Sequence, residues 1–228
     1  TYQTILRNAL RTNPEKLEKF INFLSNPDER TALEQFGKGE KYFAACTLLA
    51  TMPGIPLFNH GQIEGFSEHY GMDFLAPHLE EQEDKELIRQ HEKWIFPLLK
   101  LRKCFSRAGS FRLFIVTDEV GNELPEVYAY LNRAEEHQYL VVVNNSSRAL
   151  QACLQRSTPT ANDTSSEKIF TLSELLTIPA NMNALLNCHE IRNAQEWPFS
   201  KEEIENKGLS FSLKPYEHLV CELTWQNV

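Results

Sequence analysis

The feature of this sequence that most constrains its fold is a nearly all-apolar segment at residues 41–52 (KYFAACTLLATM), which lies between two short apolar segments. A segment that is apolar nearly all round predicts a buried helix, and Pro53-Gly54 ends it. The short segments at 20–24 (FINFL) and 55–58 (IPLF) are each followed by polar turn residues and predict strands. With helices predicted over 2–20 and 84–105, this order predicts a parallel α/β sheet.

The second half of the chain carries the pattern of antiparallel β structure instead. Alternating and β-branched residues predict strands at 111–118, 127–132, 139–144, 209–213 and 218–224. A polar segment at 155–168 predicts a surface loop, and weak helical patches fall between 171 and 206. This succession predicts an antiparallel sandwich-like domain with a helical insertion.

Two parallel strands with three helices cannot enclose a core on both faces. Their open, apolar edges are a feature that isolated proteins avoid. A complete eight-stranded α/β barrel needs roughly 250 residues, and only residues 1–108 precede the predicted β domain. The first half is therefore expected to be a piece of something longer or half of an assembly.

Composition excludes several classes of function. The 23 Lys and Arg against 31 Asp and Glu give a formal net charge of −8 with no basic stripe, which argues against a nucleic-acid partner. No run of about 18 apolar residues is present, so no membrane partner is predicted. Five widely spaced cysteines without a CxxC pair, and no visible targeting signal, predict free thiols and a cytoplasmic location.

Polar side chains follow the first predicted strand at its carboxyl end. Asn26, Asp28 and Arg30 lie in the segment FINFLSNPDER, and the carboxyl ends of the strands hold the active site in α/β barrels. A carboxylate beside an arginine there suits ion pairing or stabilisation of a cationic transition state. Asn-Pro-Asp-Glu is also good turn and helix-cap chemistry, and spacing alone favours this structural interpretation of Asp28.

The second predicted strand ends in the same way. Asn59, His60, Gln62 and Glu64 follow it in MPGIPLFNHGQIEG and would face the same edge of the sheet. A glycine-rich connection with internally satisfied polar groups explains these residues at least as well.

Metal and cofactor chemistry have little support in the sequence. His60, His69 and His78 are nine residues apart, a spacing that fits metal ligands on neither a helix nor a strand. The Ser, Cys and His residues show no local nucleophile signature. These residues therefore imply no metal and no organic cofactor.

Several segments, in their order along the chain, resemble the C-terminal third of the alpha-amylase family of retaining glycoside hydrolases. They are FINFLSNPDER, LLATMPGIPLFNHGQ, IFPLLKLRKCF, YLVVVNNSS and the closing GLSFSLKPYEHLVCEL. More narrowly, HGQIEGFSEHYGMDF resembles a subgroup of large, little-characterised bacterial members. The resemblance implies that residues 1–108 are the last strands and helices of a (β/α)8 barrel. Residues 109–228 would be a C-terminal antiparallel β-sandwich domain with a helical insertion around 171–206.

The resemblance also implies a chemistry. Members of this family cleave or transfer α-glucosidic bonds with three carboxylates, and the third follows the seventh barrel strand in an Asn-His-Asp motif. Asn26 matches the Asn of that motif and Asp28 matches its Asp, so Asp28 is expected to stabilise an oxocarbenium-like transition state. The expected substrate-binding residues are Asn26, Arg30, Asn59, His60 and Gln62. The nucleophile and the acid/base would lie upstream, so this chain alone is expected to be inactive.

Two positions depart from the family pattern. Pro27 stands where the family has a substrate-binding histidine, and Gln62-Ile63 replaces an acidic pair often found after the eighth strand. Either the specificity has shifted or the site is degenerate. The leading hypothesis is the C-terminal fragment of an alpha-amylase-type hydrolase or transglycosylase. Its partners would be an α-glucan or α-glucoside substrate and the upstream part of the same protein. The alternative is a non-catalytic carbohydrate-binding or scaffold protein that kept the fold.

Overall fold

The computed structural model describes residues 2–69, 71, 73, 75–134, 136–163, 168–176, 178 and 184–227. The first half contains helices α1 (Tyr2–Thr12), α2 (Ala32–Phe36), α3 (Glu40–Thr51), α4 (Lys85–Trp94), α5 (Phe96–Lys100) and α6 (Arg102–Phe105), a 3-10 helix (Pro14–Lys19), and strands β1 (Ile21–Phe23) and β2 (Ile55–Leu57). The second half contains strands β3 (Arg112–Thr117), β4 (Val127–Ala134), β5 (His137–Asn144), β6 (Leu150–Ser157), β7 (Ala184–Glu190), β8 (Glu196–Ser200), β9 (Leu209–Leu213) and β10 (His218–Asn227), and helices α7 (Leu172–Leu175) and α8 (Lys201–Lys207).

The two strands of the first half pair in parallel, as the sequence predicts. Ile21 lies opposite Ile55 and Phe23 lies opposite Leu57. Between the strands, α3 is buried on nearly every side, which is why its sequence has no polar face. Arg102 of α6 closes the carboxyl end of α3 because its guanidinium donates hydrogen bonds to the carbonyls of residues 50, 52 and 54.

The long helix predicted over 84–105 is divided into three. Asp84 begins α4, since its side chain accepts hydrogen bonds from the backbone N–H groups of Glu86 at 3.1 Å and Leu87 at 3.0 Å. Pro97 lies in the first turn of α5, where the missing N–H has no helical partner to lose. The proline therefore starts a new helix rather than kinking one long helix.

The strands of the second half form one antiparallel sheet with the order β8-β7-β10-β5-β4-β3-β6-β9. Its two edge strands approach each other, because Trp197 and Phe199 on β8 each place a ring centroid 5.9 Å from that of Phe211 on β9. The sheet is thus curled until it is nearly closed. The antiparallel prediction is confirmed, whereas the hydrogen-bonding order gives a single curled sheet and not two separate ones.

Each face of this sheet has its own apolar core. Tyr130 and Val141 point towards the helices of the first half, and their core continues through α1, α3, α5 and α6. Leu131 and Leu140 point into the curl, where they pack with Phe211 and with α7 and α8. Strands β4 and β5 are therefore buried on both faces, although they are antiparallel.

Three strands were not predicted from the sequence. β6 occupies residues assigned to no element and the start of the predicted loop at 155–168. β7 and β8 occupy much of the segment 171–206, and among the described residues of that segment only α7 and α8 are helical. β6 pairs with β3 and β9, which are distant in sequence, and β8 is an edge strand containing Pro198, so their local signals are weak. Residues 164–167, 177 and 179–183 of these segments lie outside the described residues.

The structure bears on two further expectations. In the described ranges, no helix combines the length and the apolar character needed to cross a membrane. All five cysteines are free thiols, as their spacing predicts.

Candidate functional site

The polar segments predicted as a site lie at the carboxyl ends of β1 and β2. Because the two strands are parallel, these ends meet at the same edge of the pair. We call this edge the rim and define it as residues 25–31, which follow β1, and residues 58–69, which follow β2. All six sequence-predicted site residues belong to it.

Asn26 shapes the turn that carries Asp28. Its Oδ1 accepts a hydrogen bond from the backbone N–H of Asp28 at 2.8 Å, and its carbonyl accepts one from the N–H of Glu29 at 3.1 Å. The carboxylate of Asp28 is exposed and makes no hydrogen bond or ion pair within the described part of the chain. The turn chemistry recognised in the sequence therefore belongs to Asn26, which presents Asp28 to solvent on an ordered backbone.

Arg30 does not pair with Asp28. Its Nε lies 3.7 Å from Oε1 of Glu34, one turn into α2, and both side chains are exposed. An exposed pair of this kind contributes little to stability, and it leaves the guanidinium able to turn towards another anion. The ion pair with Asp28 that the sequence suggested is absent from this structure.

Asn59 and Gln62 bind each other across a tight turn. The backbone N–H of Asn59 donates to Oε1 of Gln62 at 3.3 Å, and the N–H of Gln62 donates to the carbonyl of Asn59 at 3.1 Å. Gln62 is buried, and its Nε2 is 3.9 Å from Sγ of Cys46 on α3. Its side chain thus faces α3 here and holds the turn, and the substrate-binding role expected for it from the sequence stays a prediction.

A buried tyrosine on α3 and a buried histidine on α4 support this turn. The hydroxyl of Tyr42 on α3 donates to the carbonyl of Gln62 at 3.1 Å and lies 2.8 Å from Nε2 of His91 on α4. Because the hydroxyl has only one proton to donate, Nε2 carries the proton in the second contact. Burial lowers the pKa of His91 to about 4, so its ring is neutral at neutral pH.

His60 is exposed and lines a cavity of about 860 Å³. Its ring contacts Phe66 edge to face, with the ring centroids 6.2 Å apart. The other walls of the cavity come from residues between 68 and 82, with Pro77 and Leu79 as apolar parts. A polar ring beside apolar walls can bind a ligand that has both hydroxyl groups and an apolar face.

Two glutamates that the sequence analysis did not single out organise this cavity. Glu81 accepts hydrogen bonds from the backbone N–H groups of Ser67 at 2.7 Å and Glu68 at 2.9 Å. Glu68 in turn accepts from the N–H groups of His78 at 2.7 Å and Leu79 at 3.0 Å. Their carboxylates thus hold the loop together through backbone hydrogen bonds.

An ion pair outside the rim joins the segments that continue from its two sides. Nζ of Lys38, in the segment after β1, lies 2.8 Å from Oδ2 of Asp84, the first residue before α4. The hydrogen bond from Lys38 holds the pKa of Asp84 below its usual value. Gly65 lies against this pair with φ +87°, and a Cβ there would come within 2.9 Å of the Asp84 Cβ. The glycine was the sequence signal for this close approach.

The rim brings some of the predicted residues together and leaves others apart. Asn26 contacts Asp28, and Asn59 contacts Gln62, but no hydrogen bond or ion pair among the described residues links the Asp28 turn to His60. In the same described ranges no group of three or more His, Cys, Asp or Glu is placed to hold a metal ion. The arrangement offers an open carboxylate and an imidazole on one edge, which suits hydrogen bonding to a polyhydroxylated ligand.

Comparison with solved structures identifies the architecture. The alpha-amylase of Geobacillus thermoleovorans in complex with acarbose is similar over 97% of this chain and 42% of its own, with a TM-score of 0.62 and 17% identity. The debranching enzyme of Nostoc punctiforme in its native form is similar over 96% and 39%, with a TM-score of 0.57 and 16% identity. The cyclomaltodextrin glucanotransferase CldA, described as having a three-domain ABC distribution, is similar over 95% and 43%, with a TM-score of 0.57 and 14% identity.

This chain shares its fold with alpha-amylase family structures. The resemblance seen in the sequence is confirmed at the level of fold, although identity is low. The chain spans about two fifths of the length of the structures it matches. No protein-family model and no curated protein matches the sequence.

Proposed function

We propose that this chain is the C-terminal part of an alpha-amylase-type retaining glycoside hydrolase or transglycosylase that acts on α-glucosidic bonds. In this proposal residues 1–108 are the last strands and helices of a (β/α)8 barrel, and residues 109–228 are the C-terminal β domain. The proposed boundary falls between the end of α6 at Phe105 and the start of β3 at Arg112. The nucleophile and the acid/base come from upstream strands.

The observation that carries the proposal is the uncovered face of the β1–β2 pair. Four apolar side chains lie on it in two cross-strand pairs, and their exposed fractions are 57% for Ile21, 59% for Ile55, 44% for Phe23 and 40% for Leu57. In a (β/α)8 barrel such side chains fill layers of the interior. Apolar pairs on a parallel sheet are normally covered on both faces, so this face fits the inside of an incomplete barrel.

An apolar groove supports the upstream part of the same protein as the partner. It has a volume of about 690 Å³ and runs beside β1, where Phe20, Leu24, Phe36 and Leu48 are among its lining residues. A neighbouring parallel strand with its helix supplies the strand edge and the apolar side chains that this groove lacks. Covering the groove and the β1–β2 face together completes the barrel on the side of β1.

In the proposed site Asp28 stabilises the transition state. Its carboxylate is exposed on the rim, where a fixed negative charge favours a developing oxocarbenium ion and accepts hydrogen bonds from sugar hydroxyls. His60, Asn59, Arg30 and Asn26 line the same edge and bind the sugar. Gln62 supports them by holding the turn. The substrate is an α-glucan or a related α-glucoside.

The test uses the polypeptide that carries this chain together with its upstream strands. The intact mass of that polypeptide in its source cells shows first whether such strands exist. We then expect Asp28→Asn to lower the turnover of an α-glucan at least ~10²-fold, because the charge is removed without a change of shape. Glu29→Gln, at an exposed neighbour on the same turn, is the matched control and keeps turnover nearly unchanged. Near-normal turnover of Asp28→Asn sinks the assignment.

A second candidate function rests on Pro27. This residue has no side-chain donor where the family has a substrate-binding histidine, which suits a carbohydrate-binding or scaffold protein without catalysis. The same polypeptide distinguishes the two functions. If it binds a glucan but does not turn it over, with or without added metal ions, the binding protein is favoured. Asp28→Asn should then weaken the binding of the glucan.

A further inference from the structure

A buried ion pair lies where the curled sheet meets the helices. The turn after β7 carries Arg192, whose Nε donates to Oε1 of Glu190 at 2.6 Å, and both side chains are almost entirely buried. Glu190 also accepts hydrogen bonds from the backbone N–H groups of Arg192 at 2.8 Å, Asn193 at 2.9 Å and Val220 at 3.2 Å. With four donors on its carboxylate, Glu190 is compensated for burial and fixes the guanidinium in one orientation.

The same guanidinium reaches three other elements. Its Nη2 donates to the carbonyl of His218 on β10 at 2.6 Å, and its Nη1 lies 3.1 Å from Nδ1 of that residue. Nη1 also lies 3.3 Å from Oγ1 of Thr47 on α3 and 3.5 Å from the carbonyl of Trp94 on α4. The guanidinium covers the Trp94 ring at 5.3 Å. One side chain of the sheet thus holds α3 and α4 in place.

The contacts define the protonation state of His218. Arginine has donors only, so Nδ1 accepts from Arg192, and it also accepts from the hydroxyl of Thr47 at 3.1 Å. The ring proton therefore sits on Nε2, which faces Oε2 of Glu40 at 3.6 Å. This neutral tautomer is the one that fits both neighbours.

Protonation of His218 works against these contacts. A proton on Nδ1 removes the acceptor and places a second positive charge 3.1 Å from a buried guanidinium. Burial lowers the pKa of His218, and Arg192 lowers it further, while Glu40 and Glu190 oppose this shift. Glu40 is largely exposed, so water screens its attraction. The other charged residues around the small cavity at His218 are Lys38 and Glu217.

We propose that Arg192 and His218 form an acid-labile clasp between the curled sheet and the helices α3 and α4. At neutral pH the neutral imidazole accepts from Arg192 and Thr47, and the clasp is closed. When the pH falls far enough below the pKa of an ordinary histidine, His218 takes up a proton. The imidazolium then repels Arg192, and α3 loosens from β10. The device does not depend on the proposed glycosidase function, since it lies in the interface and not on the rim.

The first test follows His218 directly in the 228-residue chain. Nitrogen chemical shifts of the imidazole, recorded against pH, give its tautomer and its pKa. We expect the Nε2–H tautomer at pH 7.5 and a pKa below the ordinary value of about 6.5. A proton on Nδ1 at pH 7.5, or a pKa at or above that value, overturns the clasp.

The second test measures its mechanical consequence. His218→Asn keeps an acceptor oxygen near the position of Nδ1 but cannot be protonated. Amide hydrogen exchange is measured for residues 40–51 and 214–222 at pH 7.5 and pH 5.0, corrected for intrinsic exchange rates. The wild-type chain is expected to lose protection in both segments on acidification, and His218→Asn is expected to keep most of it, because its side chain takes up no proton.

The wild-type chain and His218→Asn are compared in the same two segments at both pH values. Equal acid responses in the wild-type chain and His218→Asn contradict the proposal. If His218→Asn does not fold, the nitrogen titration of the wild-type chain alone decides.

Discussion

Two pairs of neighbouring strands in this molecule, β1–β2 and β4–β5, have similar apolar sequences and opposite environments. β4 and β5 pair over eight positions, and their side chains are covered on both faces of the sheet. β1 and β2 pair over three positions and are covered on one face only. The sequences of both pairs predict buried strands. Their burial differs because the rest of the chain covers both faces of β4–β5 and one face of β1–β2.

The uncovered pair is nevertheless anchored to the covered one. α3 packs under β1–β2 on one side and against the curled sheet on the other, where Oγ1 of Thr51 lies 2.5 Å from Oη of Tyr130. One continuous apolar core therefore supports both regions. The second half thus buries one side of the first half, while the other face of the β1–β2 pair remains open for further packing.

The largest expected effect comes from comparing two strand leucines, one buried and one partly exposed. Leu140→Ala on β5 removes a fully buried side chain and should lower the free energy of unfolding by about 2–5 kcal/mol. Leu57→Ala on β2 removes a side chain that is 40% exposed and should cost about 1 kcal/mol or less. Urea denaturation of both variants measures the difference. Equal losses would mean that the β1–β2 face is covered in solution.

The second prediction concerns the acid stability of the first half, where His91 of α4 is buried. Burial lowers the pKa of His91 to about 4 in the folded state, against about 6.5 unfolded, so the unfolded chain binds this proton more readily. The stabilisation is complete above about pH 6.5 and is lost as the pH falls towards 4. The loss is about 3 kcal/mol well below pH 4, since each pKa unit is 1.36 kcal/mol.

Urea midpoints measured against pH test this prediction. His91→Gln cannot be protonated, so it should flatten the acid dependence relative to the wild-type chain, even if it is less stable at neutral pH. A wild-type slope that survives in His91→Gln would place the acid sensitivity elsewhere.

The smallest expected effect on stability belongs to the open face itself. The double variant Phe23→Ser and Ile55→Ser removes apolar side chains that are about half exposed, so the free energy of unfolding should change by about 1 kcal/mol or less. Association of the chain with itself should fall markedly, because that face and its strand edges no longer attract a second copy. Sedimentation velocity measures both chains, and a wild-type chain that is a stable monomer contradicts this interpretation.

The rim was predicted better in position than in detail. The parallel pair and its polar ends follow from the alternation of short strands with a buried helix, and this pattern is local. The orientation of Arg30 towards Glu34, the burial of Gln62 and the loop-forming glutamates Glu68 and Glu81 depend on contacts between segments up to 16 residues apart. Residue type and spacing alone do not contain that information. The roles of Asp28 and the other rim residues in binding stay predictions.

The amino-acid sequence by itself determined the elements with strong periodicity. These are the buried helix α3, the strands β1, β2, β4, β5, β9 and β10, and the resemblance that the solved structures confirm as a shared fold. Only the tertiary structure decided that β6, β7 and β8 are strands, that the sheet is curled, and that one arginine clasps it to the helices. The physical reason is that periodicity reports one segment facing one environment. Pairing, closure and buried ion pairs depend on which distant segments share that environment.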